Sequence, residues 1–146
     1  MDTLKIKKVN ENAIIPRRGT SGSAGLDLHA CIPSPVTIAP HELVRIPTGL
    51  AIALPNAQTV ALIFARSGLG VKHGVSLSNA VGVIDSDYRG ELCVGLCNVG
   101  GKPYTVEPGE RIAQLVVMPV LNLPLEETDV LDETERGAGG FGSTGR

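Results

Sequence analysis

Apolar residues in this chain recur at every second position rather than every third or fourth, which is the period of a strand. In "LDLHACI", Leu26, Leu28, Ala30 and Ile32 fall on one face of an extended segment. In "ELCVGLC", Leu92, Val94 and Leu96 share one face and Cys93, Gly95 and Cys97 the other. "TVALIFA" and "IAQLVVMPV" are almost continuously apolar, of strand length and rich in Val and Ile. Turn-forming clusters ("IPSP", "LPN", "GGKP", "EPGE") break these runs at intervals of about 8–12 residues, the spacing of an all-β sandwich or barrel. Only "RSGLGVKHG" resists a strand. One short helical turn capped by Ser67 is expected there, weakened by Gly68 and Gly70.

At 146 residues the chain makes one domain with a core of its own. Aromatics are 3% and Trp is absent, so Val, Ile, Leu and Ala must do the packing. A formal charge of −2 argues against non-specific binding to nucleic acid or to an anionic membrane, though not against an anionic small molecule held by a few Arg. No apolar run reaches membrane-spanning length, and "MDTLKIKKVNENA" lacks the apolar stretch of a signal peptide. A cytoplasmic location is expected. Cys31, Cys93 and Cys97 form no disulfide framework and no zinc quartet, and are expected to be buried, inert thiols. The β domain is expected over residues 1–130. Residues 131–146 form a glycine-rich tail that cannot build core.

Polar residues that interrupt the strands mark candidate chemistry. Asp27 sits between Leu26 and Leu28, where alternation alone would place a solvated side chain. "ARSGLG" puts Arg66, Ser67 and Gly68 directly after an apolar run. A guanidinium, a hydroxyl and bare backbone N–H groups are what phosphate oxygens require, although a capped turn with a solvated Arg fits too. "NAVGVIDSDYRGE" reads as a hairpin whose turn is Asp85, Ser86 and Asp87, with Gly90 easing the exit. Asp85 follows Val83 and Ile84, and in an apolar setting it is a candidate general base for water. Asn79 and the backbone at Gly82 suit the edge of a small planar ligand, because an amide both donates and accepts. Arg111 is expected to pair with Glu107 or Glu110. Gln114, inside an apolar strand, needs a partner for its amide.

Together these segments resemble the trimeric dUTP diphosphatase (dUTPase) family, which carries five short motifs in fixed order. They stand here as "SAGLDLHA", "ARSGLGVKHG", "NAVGVIDSDYRGEL", "PGERIAQLV" and "RGAGGFGSTG". Ala65 replaces the Pro common before the Arg–Ser pair. The resemblance implies a distorted β jelly roll with at most one short helix. It implies a homotrimer with active sites shared between subunits, and a mobile glycine-rich C-terminal arm that closes over the site. It also implies hydrolysis of dUTP to dUMP and pyrophosphate with Mg²⁺, which keeps uracil out of DNA and supplies dUMP for dTTP synthesis. Asp85 matches the residue that activates the attacking water, and Asp27 the carboxylate that holds Mg²⁺ through water. Arg66, Ser67, Gly68, Gln114, Arg136, Ser143 and Thr144 match phosphate-binding positions. Asn79, Gly82, Val83, Ile84 and Cys93 match the segment that reads uracil. Tyr88 matches the ring under the deoxyribose, and Phe141 the ring that stacks on the base. Two alternatives stand beside this one. A dCTP deaminase of the same fold needs a catalytic Glu where this chain has Gly95. A silent nucleotide-binding module would be marked by loss of Asp85 or of the tail, and both are present.

Overall fold

The two-residue period becomes pleated strand. In β9 (Cys93–Asn98), Val94, Leu96 and Asn98 are buried, while Cys93, Gly95 and Cys97 between them are half-buried. The structure, a computed structural model, describes residues 3–142. The other elements are β1 (Lys5–Lys8), β2 (Leu26–His29), β3 (Val36–Ile38), β4 (Leu43–Pro47), β5 (Leu50–Ala53), β6 (Thr59–Phe64), α1 (Ser67–His73), β7 (Val75–Leu77), β8 (Gly82–Ile84), β10 (Tyr104–Val106) and β11 (Arg111–Pro119). Among the described residues the all-β expectation holds, with one short helix.

Among the described residues four antiparallel sheets result, and none closes on itself. Their orders are β2-β11-β6-β8, β4-β9-β7, β1-β5 and β10-β3. The first and last core strands, β2 and β11, pair with each other, so the fold is held by long-range contacts. Leu28, Ile38, Ile46, Leu50, Ile63, Leu92, Leu96, Ile112 and Leu115 fill one aliphatic core, as a chain without Trp requires. Two buried polar side chains are fully bonded. Thr48 Oγ1 donates to Leu92 O at 2.7 Å and accepts from Leu50 N at 3.3 Å. Asn98 Nδ2 donates to Ile38 O and Lys102 O, and its Oδ1 accepts from Gly100 N.

Several expectations need correction. "NAVGVIDSDYRGE" is not a hairpin of paired arms: β8 pairs with β6, whereas β9 pairs with β4 and β7. The turn instead carries the chain from one sheet to another. Ser67 is not a cap. Arg66 holds the N-cap position with extended backbone and no side-chain cap hydrogen bond, and the helix runs seven residues. The three cysteines are free, as expected, but only half-buried. For Cys93, burial and then the Glu91 carboxylate push the thiol up from its ordinary range, which keeps it in the weakly nucleophilic thiol form.

After β11 the chain leaves the body. Asn122 Nδ2 donates to Ala57 O at 2.5 Å. Beyond it, Leu123, Leu125, Val130 and Leu131 are all at least 72% exposed. Among the described residues no helix is long and apolar enough to cross a membrane.

Candidate active site

Strand register builds the first half of the site. Across β2, β11 and β6 one row reads Asp27, Gln114, Phe64, so the three side chains project from one face of the sheet. Arg66 follows two residues after Phe64. Its Nε reaches Asp27 Oδ1 at 3.0 Å, and Arg111 Nη1 reaches Asp27 Oδ2 at 3.3 Å. Three sequence-distant segments thus meet at one corner because two strand pairings fix their level. Arg111 pairs with Asp27, not with the expected Glu107 or Glu110. A bulge between Arg111 and Ala113 turns the side chain toward β2. Glu110 is engaged elsewhere, with Tyr104 Oη and Glu107 N.

Gln114 finds the partner its half-buried amide needs: Nε2 donates to Ala65 O at 3.0 Å. Gly25 makes room for it, since a Cβ at that position would lie 2.7 Å from Gln114 Oε1. Without a side-chain cap, the first N–H groups of α1, at Ser67 and Gly68, have no hydrogen-bond partner among the described residues and lie beside Arg66. A Cβ at Gly68 would meet nothing within 4 Å, so packing in this chain does not account for that glycine. The corner is cationic, with Arg66 and Arg111 against the single carboxylate of Asp27. Among the described residues no group of three His, Cys, Asp or Glu stands together to hold a metal.

A cavity of about 740 Å³ opens beside this corner, lined by Lys8, Arg17, Arg18, Asp27, His29 and Arg111 over an apolar floor that includes Ile14 and Ile15. His29 is a residue that sequence reasoning passed over. Its Nδ1 is buried without a hydrogen-bond partner among the described residues. Desolvation by burial holds its imidazole below the ordinary value of 6.5, against the attraction of Asp27 and with help from Arg111 and Arg66. The pattern "LDLH" carried no sign of this. Its setting comes from the pairing of β2 with β11, which buries the ring and sets Arg111 opposite it.

The second half of the site lies on β8 and β9. A cleft of about 270 Å³ is lined by Arg45, Val83, Ile84, Asp85, Tyr88, Glu91, Leu92 and Cys93. A second cleft, of about 440 Å³, shares Arg45 and Cys93 and adds Ser78, Asn79 and Gly95. The sequence-predicted base-reading residues therefore cluster. β8 is an edge strand, so its backbone on the side away from β6 is free to bond a ligand. Asn79 precedes Ala80, which is held at φ 62° by a tight turn. Tyr88 Oη donates to Glu91 O at 3.0 Å, and a Cβ at Gly90 would lie 2.5 Å or less from the phenolic end of that ring. Asp85 is exposed on the single chain rather than drawn into an apolar setting.

The two halves do not meet within one chain. Ile84 pairs with Ala61, so Asp85 stands near the level of Val60, six residues before Arg66. At strand rise that separation is about 20 Å. Arg136 and Phe141 lie on the exposed tail, with Phe141 uncovered and touching neither half. Ser143 and Thr144 lie outside the described residues.

Comparison with known proteins gives a consistent picture. The dUTPase family model matches residues 11–145. A deoxyuridine 5'-triphosphate nucleotidohydrolase of Polynucleobacter asymbioticus is 51% identical over 148 residues, covering 100% of this chain and 99% of that protein. One from Desulfitobacterium hafniense is 50% identical over 149 residues, covering 99% of each chain. Among solved structures, a Staphylococcus bacteriophage 80alpha dUTPase with dUpNHpp superposes with a TM-score of 0.89 at 29% identity, over 99% of both chains. A dUTPase from phage phi11 of S. aureus, described with a structural Mg(II) ion, superposes with a TM-score of 0.78 at 25% identity, over 88% of this chain and 97% of that one.

Proposed function

The chain belongs to the dUTPase family, and from that premise we propose that it hydrolyses dUTP to dUMP and pyrophosphate by in-line attack of water on the α-phosphorus. Removing dUTP keeps uracil out of DNA, and the dUMP serves dTTP synthesis. The reading is carried by the corner where Asp27, Arg66 and Gln114 converge beside the free N–H groups of Ser67 and Gly68. That corner has the donors a triphosphate needs and the positive charge to offset its own. A cytoplasmic location, where free nucleotides lie, goes with this activity.

Asp85 takes a proton from the water as its oxygen bonds to the α-phosphorus, and the bond to the bridging oxygen breaks to release pyrophosphate. Arg66, Ser67, Gly68 and Gln114 hold the phosphates, and Arg136, Ser143 and Thr144 join them when the tail, residues 131–146, closes. Asn79, the backbone of Gly82, Val83 and Ile84, and main chain near Cys93 read uracil. Cytosine would present its donor and acceptor reversed and leave buried groups unpaired. Tyr88 fills the space a 2′-hydroxyl would need, and Phe141 covers the base. The reaction uses Mg²⁺, which supplies charge neutralisation at the phosphate oxygens when bound. The donor set fits that ion in one mode. A lone carboxylate already facing two guanidinium groups suits a cation that keeps its waters and leans on substrate phosphates.

The separation of Asp85 from Arg66 supports sharing each site between copies of the chain in a homotrimer. A deaminase lacks its acid/base side chain, because position 95 is glycine, packed against Ser78. Pyrophosphate release from dUTP, set against dCTP, dTTP and UTP with and without Mg²⁺, tests the reading. Ammonia from dCTP without pyrophosphate from dUTP would overturn it.

A further inference from the structure

The functional reading uses the first half of "ARSGLGVKHG" and leaves Lys72, His73 and Gly74 without a task. These residues end α1 and meet the loop 100–102 that follows β9. Between them opens a pocket of about 470 Å³ whose lining includes Lys72, His73, Gly101, Lys102 and Tyr104, and no acid. Glycines bring its two sides together. Gly74 is held at φ 70°, and a Cβ there would lie 2.6 Å from Gly100 N. A Cβ at Gly100 would lie 2.5 Å from His73 O. Val99 N donates to Gly74 O at 2.8 Å. The fully buried Asn98 amide fixes the loop through Gly100 N and Lys102 O. The His73 ring rests against Tyr104, with centroids 4.9 Å apart. The floor of the pocket is therefore set before any ligand arrives.

We propose that this pocket is a second anion site, for a phosphate group, at the far end of α1 from Arg66. Its donors lack protein partners. Neither Lys72 nor Lys102 forms an ion pair among the described residues. The backbone N–H groups of Gly101 and Lys102 bond no protein acceptor among the described residues. With the His73 imidazole, the pocket offers the mixture of charged and main-chain donors that phosphate oxygens take up. Packing does not account for Gly101: a Cβ there would meet nothing within 4 Å, and its φ is not positive. An anion that approaches the backbone closely does account for it. The carbonyl end of a helix opposes an anion, but here Gly74 caps Gly70 O and Leu69 O, and Lys72 and His73 stand in the same last turn. Inorganic phosphate, pyrophosphate and the phosphate of a nucleotide share the chemistry required. The proposal does not rest on the hydrolysis of dUTP.

The test follows the imidazole signals of the full chain by NMR while inorganic phosphate replaces chloride at constant pH and ionic strength. His73 reports the pocket and His29 reports the corner beside Asp27. The His73 signal should shift and saturate. A shift at His29 with none at His73 would put phosphate at the corner alone and overturn the proposal. Lys72→Gln/Lys102→Gln should raise the phosphate Kd read at His73 at least about tenfold, and an unchanged Kd would overturn the site. Gly101→Ala keeps every charge and fits the open space. It should raise that Kd about threefold or more, because the added methyl group blocks the approach to the backbone. Unchanged affinity there would leave only diffuse attraction to surface lysines, and the site would fall. Pyrophosphate and dUMP, titrated in the same way, separate the sources. Tighter binding of pyrophosphate makes the site one for free inorganic anions, and tighter binding of dUMP makes it one for a nucleotide's phosphate. None of these readouts needs turnover, so a wild type that released no pyrophosphate from dUTP would sink the functional reading and leave this test standing.

Discussion

Single side chains here have separable duties, and exposure tells them apart. Asp85 is exposed and bonds no other side chain among the described residues, so Asp85→Asn should leave folding unchanged. Turnover of dUTP should fall by about 10²–10⁴-fold with little change in KM, the mark of a lost general base. Stopped-assay pyrophosphate release checks this, and near-normal turnover would take Asp85 out of the base role. Tyr88→Ala should raise kcat/KM for UTP relative to dUTP by about tenfold or more, as the proposed steric role of the ring against a 2′-hydroxyl requires. Equal selectivity would place the sugar check elsewhere. His29 makes a prediction about pH. Its folded pKa is depressed by burial, so the unfolded chain binds the proton more readily. Its contribution to stability is therefore complete above pH about 6.5 and is lost as pH falls through the folded value, then levels off. His29→Gln should show a smaller drop in Tm than the wild type between pH 7.5 and pH 5. Gln114 stood out in the sequence because an amide inside an apolar strand asks for a partner, whereas Asp27 fitted plain alternation and was singled out only by the family resemblance. Arg111 was misassigned because its partner is 84 residues away in the chain, and local charge gave the wrong one.

Elements were legible where their period was clean. Two-residue alternation located β2 and β9, because burial on one face leaves the pattern in the residues themselves, while β6 and β11 were marked by apolar runs of strand length rich in Val and Ile. What alternation does not encode is which strand lies beside which. The turn at Asp85–Asp87 looks local, yet its arms serve different sheets, and only the pairing of β8 with β6 reveals it. That crossing is held at its return end by Thr48. Its hydroxyl and backbone N–H both bond Leu92 O, at 2.7 and 3.1 Å, and Glu91 Oε1 accepts from Gly49 N at 2.8 Å. Thr48→Val keeps the shape and removes the hydroxyl from a fully buried position. The cost should be about 1–3 kcal/mol, from two lost bonds, the one donated to Leu92 O and the one accepted from Leu50 N. Urea unfolding measures it. KM for dUTP should rise as well, because Tyr88 is anchored to the neighbouring Glu91 carbonyl. A variant as stable as the wild type would show that the crossing is held by packing alone.

At the scale of the molecule, one chain looks like part of an assembly. The outer face of the four-stranded sheet is a row of Val60, Leu62, Phe64, Val83, Val116 and Met118, with Val83 62% and Met118 42% exposed. A face this apolar, next to the corner that holds Asp27 and Gln114, is suited to cover by another copy. The distance between Asp85 and Arg66 supports the same. In the roles proposed above, one nucleotide cannot meet Asp85 as base and Arg66 as phosphate clamp when they stand about 20 Å apart along β6. Sedimentation should therefore report about three times the 15.2 kDa chain mass. A stricter prediction uses two crippled variants, Asp85→Asn and Arg66→Ala, each nearly inactive alone. Refolded together in equal amounts, they form mixed trimers in which some sites take Asp85 from one variant and Arg66 from the other. Random mixing makes both groups intact in about one site in four, so activity should return to about a quarter of the wild-type value. If each site were built within one chain, every chain in the mixture would still carry one lesion, and activity would stay at the average of the two parents. Recovery near a quarter with no change in trimer mass would mean that the base and the clamp come from different copies. No recovery would place them in one chain, and the separation seen along β6 would then have to close by a large movement of β8.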